Sequence, residues 1–384
     1  MKQGWEIKKL GEVCEIVGGS TPKTSEPIYW DGEHYWVTPA ELDGSKYISS
    51  TSRTITDDGV KSAHLQLLPS GIVLLSSRAP IGKVAITTVP MYCNQGFKNL
   101  VCSDKLYNEF AYWFLYHNTA YLNSLGTGAT FKEISKRVVE QIPIPIPPRA
   151  EQERIVEVLD REFEKIDAMK ANAEQNLQHA KDLFQAALRK ELQPKEGWTI
   201  SELRGVCTFY NGKPHENNID KEGKYILVNS KFIASDMQIY KRTSAQLFPL
   251  YRNDIVMVMS DVPNGKALGK CQIICEDGVY SLNQRICAFR NSKIDVKLLY
   301  YLINRNPYLI AFDNGENQTN LRKNDIITMP IHYPIKPQDV ASLIERLDSL
   351  RDSCILLEEN YKKTIALCDD MKQTLLRKAF NGEL

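Results

Sequence analysis

The sequence contains a long stretch, from Glu151 to Leu192, that has no glycine and no proline. Apolar or small residues recur in it at intervals of three or four, which places them along one side of an α-helix. These residues are Ile155, Leu159, Phe163, Ile166, Met169, Ala173, Leu177, Ala180, Phe184 and Ala187. Helices in globular domains average about 11–12 residues. A helix this long with such a narrow apolar seam needs a second helix, so the stretch predicts half of a coiled coil.

The second helix is predicted at the end of the same chain, over residues 338–384. Leu347-Asp348 matches Leu159-Asp160, and Leu376-Arg377-Lys378 matches Leu188-Arg189-Lys190, both at a sequence offset of 188. An ungapped offset preserves the register of the seam and indicates a duplication. The alternative is two unrelated amphipathic helices of similar composition.

The segments outside the helices also repeat, at sequence offsets that vary from 183 to 193. Each begins with a Gly-Trp pair, a short apolar-patterned segment and a glycine turn. The matched residues are Trp5 and Trp198, Cys14 and Cys207, and Gly19 and Gly212. Each copy then has an apolar strand, a Pro-x-Gly-Lys turn and a second strand. The turn residues are Pro80, Gly82 and Lys83 in one copy and Pro263, Gly265 and Lys266 in the other.

Each copy closes in the same way. Helices are predicted over residues 106–117 and 295–304, and the proline-rich segments 142–147 and 330–334 predict extended connectors into the long helices. We therefore expect four parts: a first domain over residues 1–147, a central helix over 148–194, a second domain over 195–337 and a terminal helix over 338–384. Loops that differ on a shared scaffold suggest two domains with one task and different targets.

Charge is distributed unevenly among these parts. The first domain has 14 basic and 14 acidic residues, and the second has 19 and 14, a net charge of +5. The central helix segment has 8 and 10, and the terminal one has 7 and 9, so each is −2. Acidic helices are poor phosphate binders and better suited to contact proteins, whereas the basic domain is a candidate nucleic-acid binder.

Neither a membrane segment nor a metal site is predicted. No apolar run is long enough to span a bilayer, and no signal peptide is recognisable. The nine cysteines are scattered without a CxxC pair or a Cys/His cluster at zinc spacing. These features predict a reducing, cytoplasmic environment.

Motifs for catalysis are equally scarce. The sequence has no GxGxxG, no P-loop and no Asn-Pro-Pro-aromatic motif. The segment Asp220-Lys221-Glu222-Gly223-Lys224 could hold Mg²⁺ and position a water. A solvated turn before a strand at Tyr225–Val228 is the simpler interpretation, because the other copy has nothing comparable. We therefore predict a chain with no catalytic and no metal-binding residues.

Binding remains as the expected function. Lysine and arginine position phosphates, and arginine can also read base edges in the major groove. The candidate DNA-binding residues lie along turns and strand ends of both domains: Arg78, Lys83, Lys98, Lys132, Lys136, Lys266, Lys270, Arg285, Arg322 and Lys323. Each one could instead be an ordinary surface charge. Asparagine and glutamine can also read base edges. The matched pairs Asn94-Gln95 and Asn283-Gln284 could do so, or they could stabilise the backbone of turns.

The chain resembles the specificity subunits of type I restriction–modification enzymes along its whole length. The motifs that carry the resemblance are Trp5 with Leu10-Gly11, Gly18-Gly19-Ser20-Thr21-Pro22, Tyr29-Trp30, Trp36-Val37-Thr38-Pro39, Ile142-Pro143-Ile144-Pro145, Glu151-Gln152-Glu153-Arg154-Ile155-Val156 and the ending from Leu376 to Leu384. The second copy departs from the pattern, because Gln338-Asp339-Val340 replaces the Glu-Gln-x-Arg-Ile start.

The resemblance implies an α+β fold. Two mixed α/β target recognition domains would be separated by two long antiparallel coiled-coil helices, with pseudo-twofold symmetry from the duplication. Each domain would read one half of a split site in double-stranded DNA. The helices would bind methyltransferase subunits, through Glu157, Glu164 and Asp167 on their acidic faces, and restriction subunits would join the complex. S-adenosylmethionine, ATP and Mg²⁺ would be used by those partners, and this chain would need no cofactor. A self-contained nuclease and a protein-binding adaptor are the alternatives.

Overall fold

The computed structural model describes residues 4–78, 80–128, 132–262 and 265–384. The chain divides into two compact units. The first unit comprises Met1–Gln175 with Tyr361–Leu384, and the second comprises Asn176–Asn360. Each unit therefore contains one domain together with a segment of both long helices.

The first domain combines short strands with short helices. Its strands, within the described ranges, are β1 Glu6–Lys9, β2 Cys14–Gly18, β3 Trp30–Val37, β4 Tyr47–Ile48, β5 Thr54–Ile55, β6 Val73–Leu75, β7 Val84–Thr87, β8 Tyr92–Cys93, β9 Lys98–Cys102 and β10 Pro143–Ile146. Its helices are α1 Leu10–Val13, α2 Asp57–Ser62, α3 Asn108–His117, α4 Thr119–Ser124 and α5 Lys136–Glu140. The first long helix, α6, follows at Arg149–Glu191.

The second domain repeats this plan. Its strands are β11 Trp198–Glu202, β12 Thr208–Asn211, β13 Tyr225–Val228, β14 Lys241–Thr243, β15 Ile255–Val258, β16 Ser260–Asp261, β17 Cys271–Ile273, β18 Tyr280–Leu282, β19 Ile286–Arg290, β20 Thr319–Asn320 and β21 Pro330–Pro334. Its helices are α7 Leu203–Val206, α8 Ser230–Ala234, α9 Val296–Ile303, α10 Pro307–Ile310 and α11 Lys323–Ile327, before the second long helix, α12, at Pro337–Asn381.

Corresponding sheets have corresponding topologies in the two domains. The larger sheets have the orders β2-β9-β6-β7-β4 and β12-β19-β15-β17. A smaller three-stranded sheet has the order β5-β3-β8 in one domain and β14-β13-β18 in the other. In both smaller sheets one edge pair is antiparallel and the other is parallel. The duplication predicted from the sequence is thus present in the strand order.

The glycine turns have a steric cause. A Cβ on Gly19 would lie 2.1 Å from the carbonyl oxygen of Cys93, and one on Gly212 would lie 2.0 Å from that of Asn283. Real Cβ contacts are not this short, so only glycine allows the chain to approach the neighbouring turn. The matched glycines of the sequence therefore have the same role in each domain.

The proline-rich segments, predicted as extended connectors, are extended and form strands. β10 pairs antiparallel with β1, and β21 pairs antiparallel with β11. Each is a two-stranded sheet, so a proline without an N–H can use the unpaired edge. The extended conformation was predicted correctly, but the pairing with the start of the same domain was not.

The apolar seam of the long helices has matched buried positions. They are Ile155 and Leu343, Leu159 and Leu347, Ile166 and Cys354, Ala180 and Cys368, and Leu188 and Leu376, each pair at the sequence offset of 188. Met169 was placed in the seam from its spacing, and this was wrong, because it is 45% exposed. Periodicity of three and four cannot distinguish the centre of a narrow seam from its edge.

The helix segments within each unit are antiparallel. In the first unit, the Lys170 ammonium lies 2.7 Å from the Asp369 carboxylate, and Asp167 pairs with Lys372. The Arg154 guanidinium also donates to the Leu384 carbonyl at 2.7 Å. In the second unit, Arg346 lies 3.3 Å from Glu191. These exposed pairs add little stability, so the buried seam holds the helices together.

One carboxylate in each long helix anchors it to its domain. The Trp113 indole N–H donates to Asp160 at 2.9 Å, and the Lys46 ammonium lies 2.6 Å from the same carboxylate. At the equivalent place the Tyr301 hydroxyl donates to Asp348 at 2.5 Å, and Lys297 lies 2.7 Å away. Trp113 and Tyr301 are themselves related by the sequence offset of 188. In each matched Leu-Asp pair of the sequence, the aspartate therefore attaches the long helix to its own domain.

Replacing Asp348 with asparagine should destabilise the chain by about 1–3 kcal/mol, because Lys297 and Tyr301 lose an ionised acceptor. Burial would raise the pKa of Asp348, but the hydrogen bonds from Lys297 and Tyr301 outweigh it and the pKa is lowered. A lowered carboxylate pKa stabilises the fold above the ordinary value of 3.8 and ceases to do so as pH falls through the folded value. Thermal unfolding of D348N should therefore differ from wild type at neutral pH and converge with it in acid.

Asp352 provides the matched control. Its carboxylate is 68% exposed and its ion pair is with Arg351, its neighbour in sequence. D352N should unfold within about 0.5 kcal/mol of wild type. Equal losses in D348N and D352N would show that Asp348 does not anchor the helix.

Candidate nucleic-acid interface

The small sheet of the first domain carries two tryptophans held rigidly in place. Trp30 and Trp36 are 8% and 3% exposed, and their rings meet edge to face at 5.1 Å. The Trp30 indole N–H donates to the Lys23 carbonyl at 3.2 Å, and that of Trp36 donates to the Ser20 carbonyl at 3.1 Å. The motif around Gly19 and the two Trp motifs thus come together as one aromatic platform.

Arg53 lies on this platform, immediately before the edge strand β5. Its guanidinium carbon is 3.7 Å from the centroid of the Trp30 ring and 5.6 Å from that of Trp36. Its carbonyl accepts hydrogen bonds from the Trp36 N–H at 3.3 Å and the Thr51 hydroxyl at 2.6 Å. Arg53 is nevertheless exposed. Backbone and ring stacking together hold a cation at the surface in one orientation.

The second domain has a basic and aromatic edge at the same position of its small sheet. The register of β13 with β14 sets Leu227 opposite Lys241, as Trp36 lies opposite Arg53 in the first domain. The adjacent Arg242 donates to the Gly223 carbonyl at 3.3 Å and lies over the ring of Tyr240. Tyr240 is 47% exposed. Exposed cations beside aromatic rings suit phosphates and bases.

Sequence reasoning missed both edges. The Trp motifs were noticed as marks of resemblance, but Arg53 lies well beyond Trp36 in the sequence and gave no sign that it would stack there. Lys241 and Arg242 belong to no motif that the two copies share. The only available signal was the sequence Tyr240-Lys241-Arg242, in which an aromatic residue precedes two cations.

The ten cations proposed from the sequence fall into two groups. Lys132, Lys136, Lys266, Arg285, Arg322 and Lys323 are exposed, and Arg78 is partly exposed. Of the exposed residues, Lys136 pairs with Glu140 at 3.9 Å on its own helix, and Arg322 takes part in a capping box with Asp325. The exposed group remains available to a nucleic acid.

The other three cations are occupied within the fold. The Lys83 ammonium donates to the carbonyls of Pro39 at 3.2 Å and Leu42 at 2.7 Å. Lys98 lies 3.2 Å from Glu133. Lys270 lies 2.8 Å from Asp236. The Gly-Lys turn that recurs in both copies therefore has a structural role in the first domain. In the second copy of the turn, Pro263 lies outside the described residues.

The asparagines of the matched Asn-Gln pairs stabilise turns. The Asn94 side-chain carbonyl accepts from the Gly96 N–H at 2.8 Å, and that of Asn283 accepts from the Arg285 N–H at 3.3 Å. This supports the structural alternative for both. Gln95 contacts the Thr21 hydroxyl, and Gln284 donates to Glu216 at 2.6 Å.

The acidic segment proposed as a nuclease site forms a turn. The Gly223 N–H donates to the Asp220 carbonyl at 3.1 Å, the Glu222 N–H donates to the Asp220 carboxylate at 3.0 Å, and β13 follows at Tyr225. Within the described ranges no group of three or more His, Cys, Asp or Glu residues could hold a metal ion. The solvated turn is the better interpretation.

Two histidines have partners that the sequence did not suggest. The His34 ring lies 2.7 Å from the Asp57 carboxylate. His215 is buried between the Lys213 carbonyl at 2.7 Å and the Ser281 hydroxyl at 2.8 Å. Both ring nitrogens of His215 are engaged, so this residue has a structural role.

The buried thiols are unsuited to nucleophilic chemistry. All nine cysteines are free. Burial raises the pKa of Cys14, Cys93 and Cys207 to about 12. These thiols are protonated at neutral pH, whereas a nucleophile requires the thiolate.

The helix residues predicted to bind a partner lie at the surface. Glu157 and Glu164 are exposed, and Asp167 remains 59% exposed beside Lys372. Several apolar side chains of the long helices are exposed as well. Met169 and Met371 are 45% and 47% exposed in the first unit, and Leu183 and Leu357 are 53% and 38% exposed in the second.

These exposed apolar residues are related by the duplication. Met169 matches Leu357, and Leu183 matches Met371, at the offset of 188 that aligns the helices. Each unit therefore has one residue from each matched pair. Among the described residues, no helix combines the length and apolar content that a membrane span requires.

Comparison with known proteins gives a consistent result. The profile of the type I restriction modification DNA specificity domain matches residues 2–179 and again residues 195–367. The type I restriction enzyme MjaIX specificity subunit of Methanocaldococcus jannaschii is 27% identical, covering 99% of this chain and 93% of that protein. The EcoKI specificity subunit of Escherichia coli K12 is 24% identical, covering 100% and 90%.

Solved structures agree with the fold. A chain from a study of complex assembly and conformational transition in the type I R-M system has a TM-score of 0.83 at 20% identity, covering 100% of this chain and 99% of that one. The HsdS subunit from Thermoanaerobacter tengcongensis has a TM-score of 0.63 at 20% identity, covering 100% and 98%. With the family profile matched twice, the chain belongs to the type I restriction–modification DNA specificity family, and its role is DNA sequence recognition.

Proposed function

We propose that this chain reads a bipartite site in double-stranded DNA, one half with each domain, for partner subunits that methylate adenine or cleave the DNA. The observation that carries the proposal is the matched pair of sheet edges. Arg53 and Lys241 occupy the same position in equivalent sheets, yet Arg53 lies over the Trp30 ring whereas Lys241 lies opposite Leu227. One scaffold with two different reading edges suits two different half-sequences.

The exposed cations of the two domains offer further candidate contacts. Lys132 and Lys136 in the first domain and Lys266, Arg285 and Lys323 in the second are candidates for phosphate contacts. Phosphate contacts position a protein on the duplex without sequence information. Base recognition depends instead on side chains that are held in a fixed geometry, and fewer of the exposed cations are held in this way.

Catalysis is assigned to the partners. Under this proposal S-adenosylmethionine serves the methyltransferase subunits, and ATP and Mg²⁺ serve the restriction subunits, in the cytoplasm where genomic DNA is accessible. Burial raises the pKa of the Cys14 thiol to about 12, and the Asp220 segment forms a hydrogen-bonded turn, both of which fit this division.

The proposal is tested by genome-wide mapping of methylated adenine in cells that express this chain with a methyltransferase subunit. One motif is expected, with two constant halves separated by a constant number of unspecified bases. Methylation at a single continuous sequence, or at no defined sequence, would contradict a bipartite reading.

The methyltransferase subunits are proposed to bind the long helices at the matched exposed residues. Met169 with Met371 forms one site and Leu183 with Leu357 the other, so each chain would take two subunits. Apolar side chains contribute more to an interface core than exposed carboxylates do. Glu157, Glu164 and Asp167 then belong to the polar rim.

Changing both Met169 and Leu357 to aspartate should abolish or strongly weaken co-purification of the methyltransferase, because each site would bury an unpaired charge. Ala171→Asp is the matched control, since Ala171 is exposed on the other side of the same helix from Met169. Charge reversal at Glu157 and Glu164 should have a smaller, salt-dependent effect. Loss of binding only in the charge-reversal variant would mean that the acidic face is the principal interface.

A further inference from the structure

The guanidinium of Arg53 lies against the ring of Trp30. Among the residues that the structure describes, none receives a hydrogen bond from this side chain or forms an ion pair with it. Among the described residues, the Arg53 carbonyl accepts hydrogen bonds from the Trp36 N–H and the Thr51 hydroxyl. By contrast, the Arg290 guanidinium, also against aromatic rings, is 2.7 Å from Asp254. The exposed Arg53 guanidinium therefore has N–H donors that the described residues do not use.

The support beneath Arg53 is rigid. Trp30 and Trp36 pack with Ile55 and Tyr92 in a small buried cluster. The two indole N–H groups are bonded to backbone carbonyls, so neither ring can rotate freely. The Arg53 guanidinium carbon lies 3.7 Å from the centroid of the Trp30 ring, so this ring restricts the orientations that the guanidinium can take. Fixing the plane in advance lowers the entropy lost when its hydrogen bonds form.

A planar fork of N–H donors fits one base edge best. Guanine presents O6 and N7 as adjacent acceptors in the major groove, and bidentate arginine is its commonest specific partner. We propose that Arg53 reads a guanine in the half-site of the first domain. The inference rests on the proposed function and adds a specificity-determining residue to it.

Within its described residues, the second domain has no arginine stacked on a tryptophan ring. Leu227 stands where Trp36 stands, and none of the cation–ring contacts among the described residues involves Lys241. Arg242 is partly engaged by the Gly223 carbonyl. Preorganised reading of guanine by a stacked arginine is therefore assigned to the first half-site alone.

Arginine could instead contact a phosphate, which has a different signature. A lost phosphate contact weakens binding to all sequences and reduces the salt dependence, whereas a lost base contact relaxes preference at one position. The two are separated by measuring methylation across substrates in which each base pair of the first half-site is varied singly.

The experiment uses the complete complex with its methyltransferase and compares wild type with R53A, R53K and K132A. Wild type should disfavour replacement of one guanine by about 5- to 150-fold in kcat/KM. R53A should lose that discrimination while keeping it at every other position, and R53K should restore it only in part. K132A should retain the full preference.

A second arm changes the DNA instead of the protein. Placing 7-deazaguanine at that position removes the N7 acceptor, so methylation by wild type should fall while methylation by R53A should not. A melting curve for each variant establishes that it is folded. R53K keeps a cation over the ring. If R53A does not fold, R53K still tests the inference through its partial loss of discrimination.

Several results would overturn the inference. They are a first half-site without a G·C pair, a uniform loss across all substrates in R53A, and an unchanged motif in folded R53A. Failure of the proposed function looks different, because the wild-type complex would then methylate no defined bipartite sequence at all.

Discussion

The buried seam between the long helices is the interaction on which the rest of the structure depends. Its apolar positions repeat at a sequence offset of 188, and so do the carboxylates of Asp160 and Asp348 that dock each helix to its own domain. A shift of one residue would take both carboxylates away from Trp113 and Tyr301. Within each unit, the seam therefore fixes the register of the helix segments, and the carboxylate fixes the helix against its own domain.

Duplication also explains how one chain can recognise two different sequences. The parts that position the domains are matched: the helix seam, the docking carboxylates, the close-approach glycines and the strand order. The edges that we propose to read DNA are not matched, because Arg53 lies over the Trp30 ring while Lys241 lies opposite Leu227. Selection for a new half-site can change one reading edge without disturbing the scaffold.

The sequence predicted the helices and the duplication because both depend on periodicity and spacing. The long helices were expected at Glu151–Leu192 and over 338–384, and they occupy Arg149–Glu191 and Pro337–Asn381. The candidate site was harder, because single cations carry no periodicity. Lys83 and Lys98 were predicted to bind DNA from the sequence. In the structure, Lys83 donates to the carbonyls of Pro39 and Leu42, and Lys98 pairs with the carboxylate of Glu133. Arg53 was overlooked since its stacking depends on a contact between strands.

The proposed function has the two domains read separate half-sequences, and we propose that the length of the long helices sets the gap between those half-sequences. It is tested most directly by inserting one heptad after Ala173 and one after Tyr361, which keeps the seam in phase, and mapping methylated adenines in cells. Seven residues lengthen each helix by about 10 Å, and DNA rises about 3.4 Å per base pair. Unchanged half-sequences are expected, with a gap longer by up to about 3 base pairs. An unchanged gap in a folded, active variant would contradict the claim.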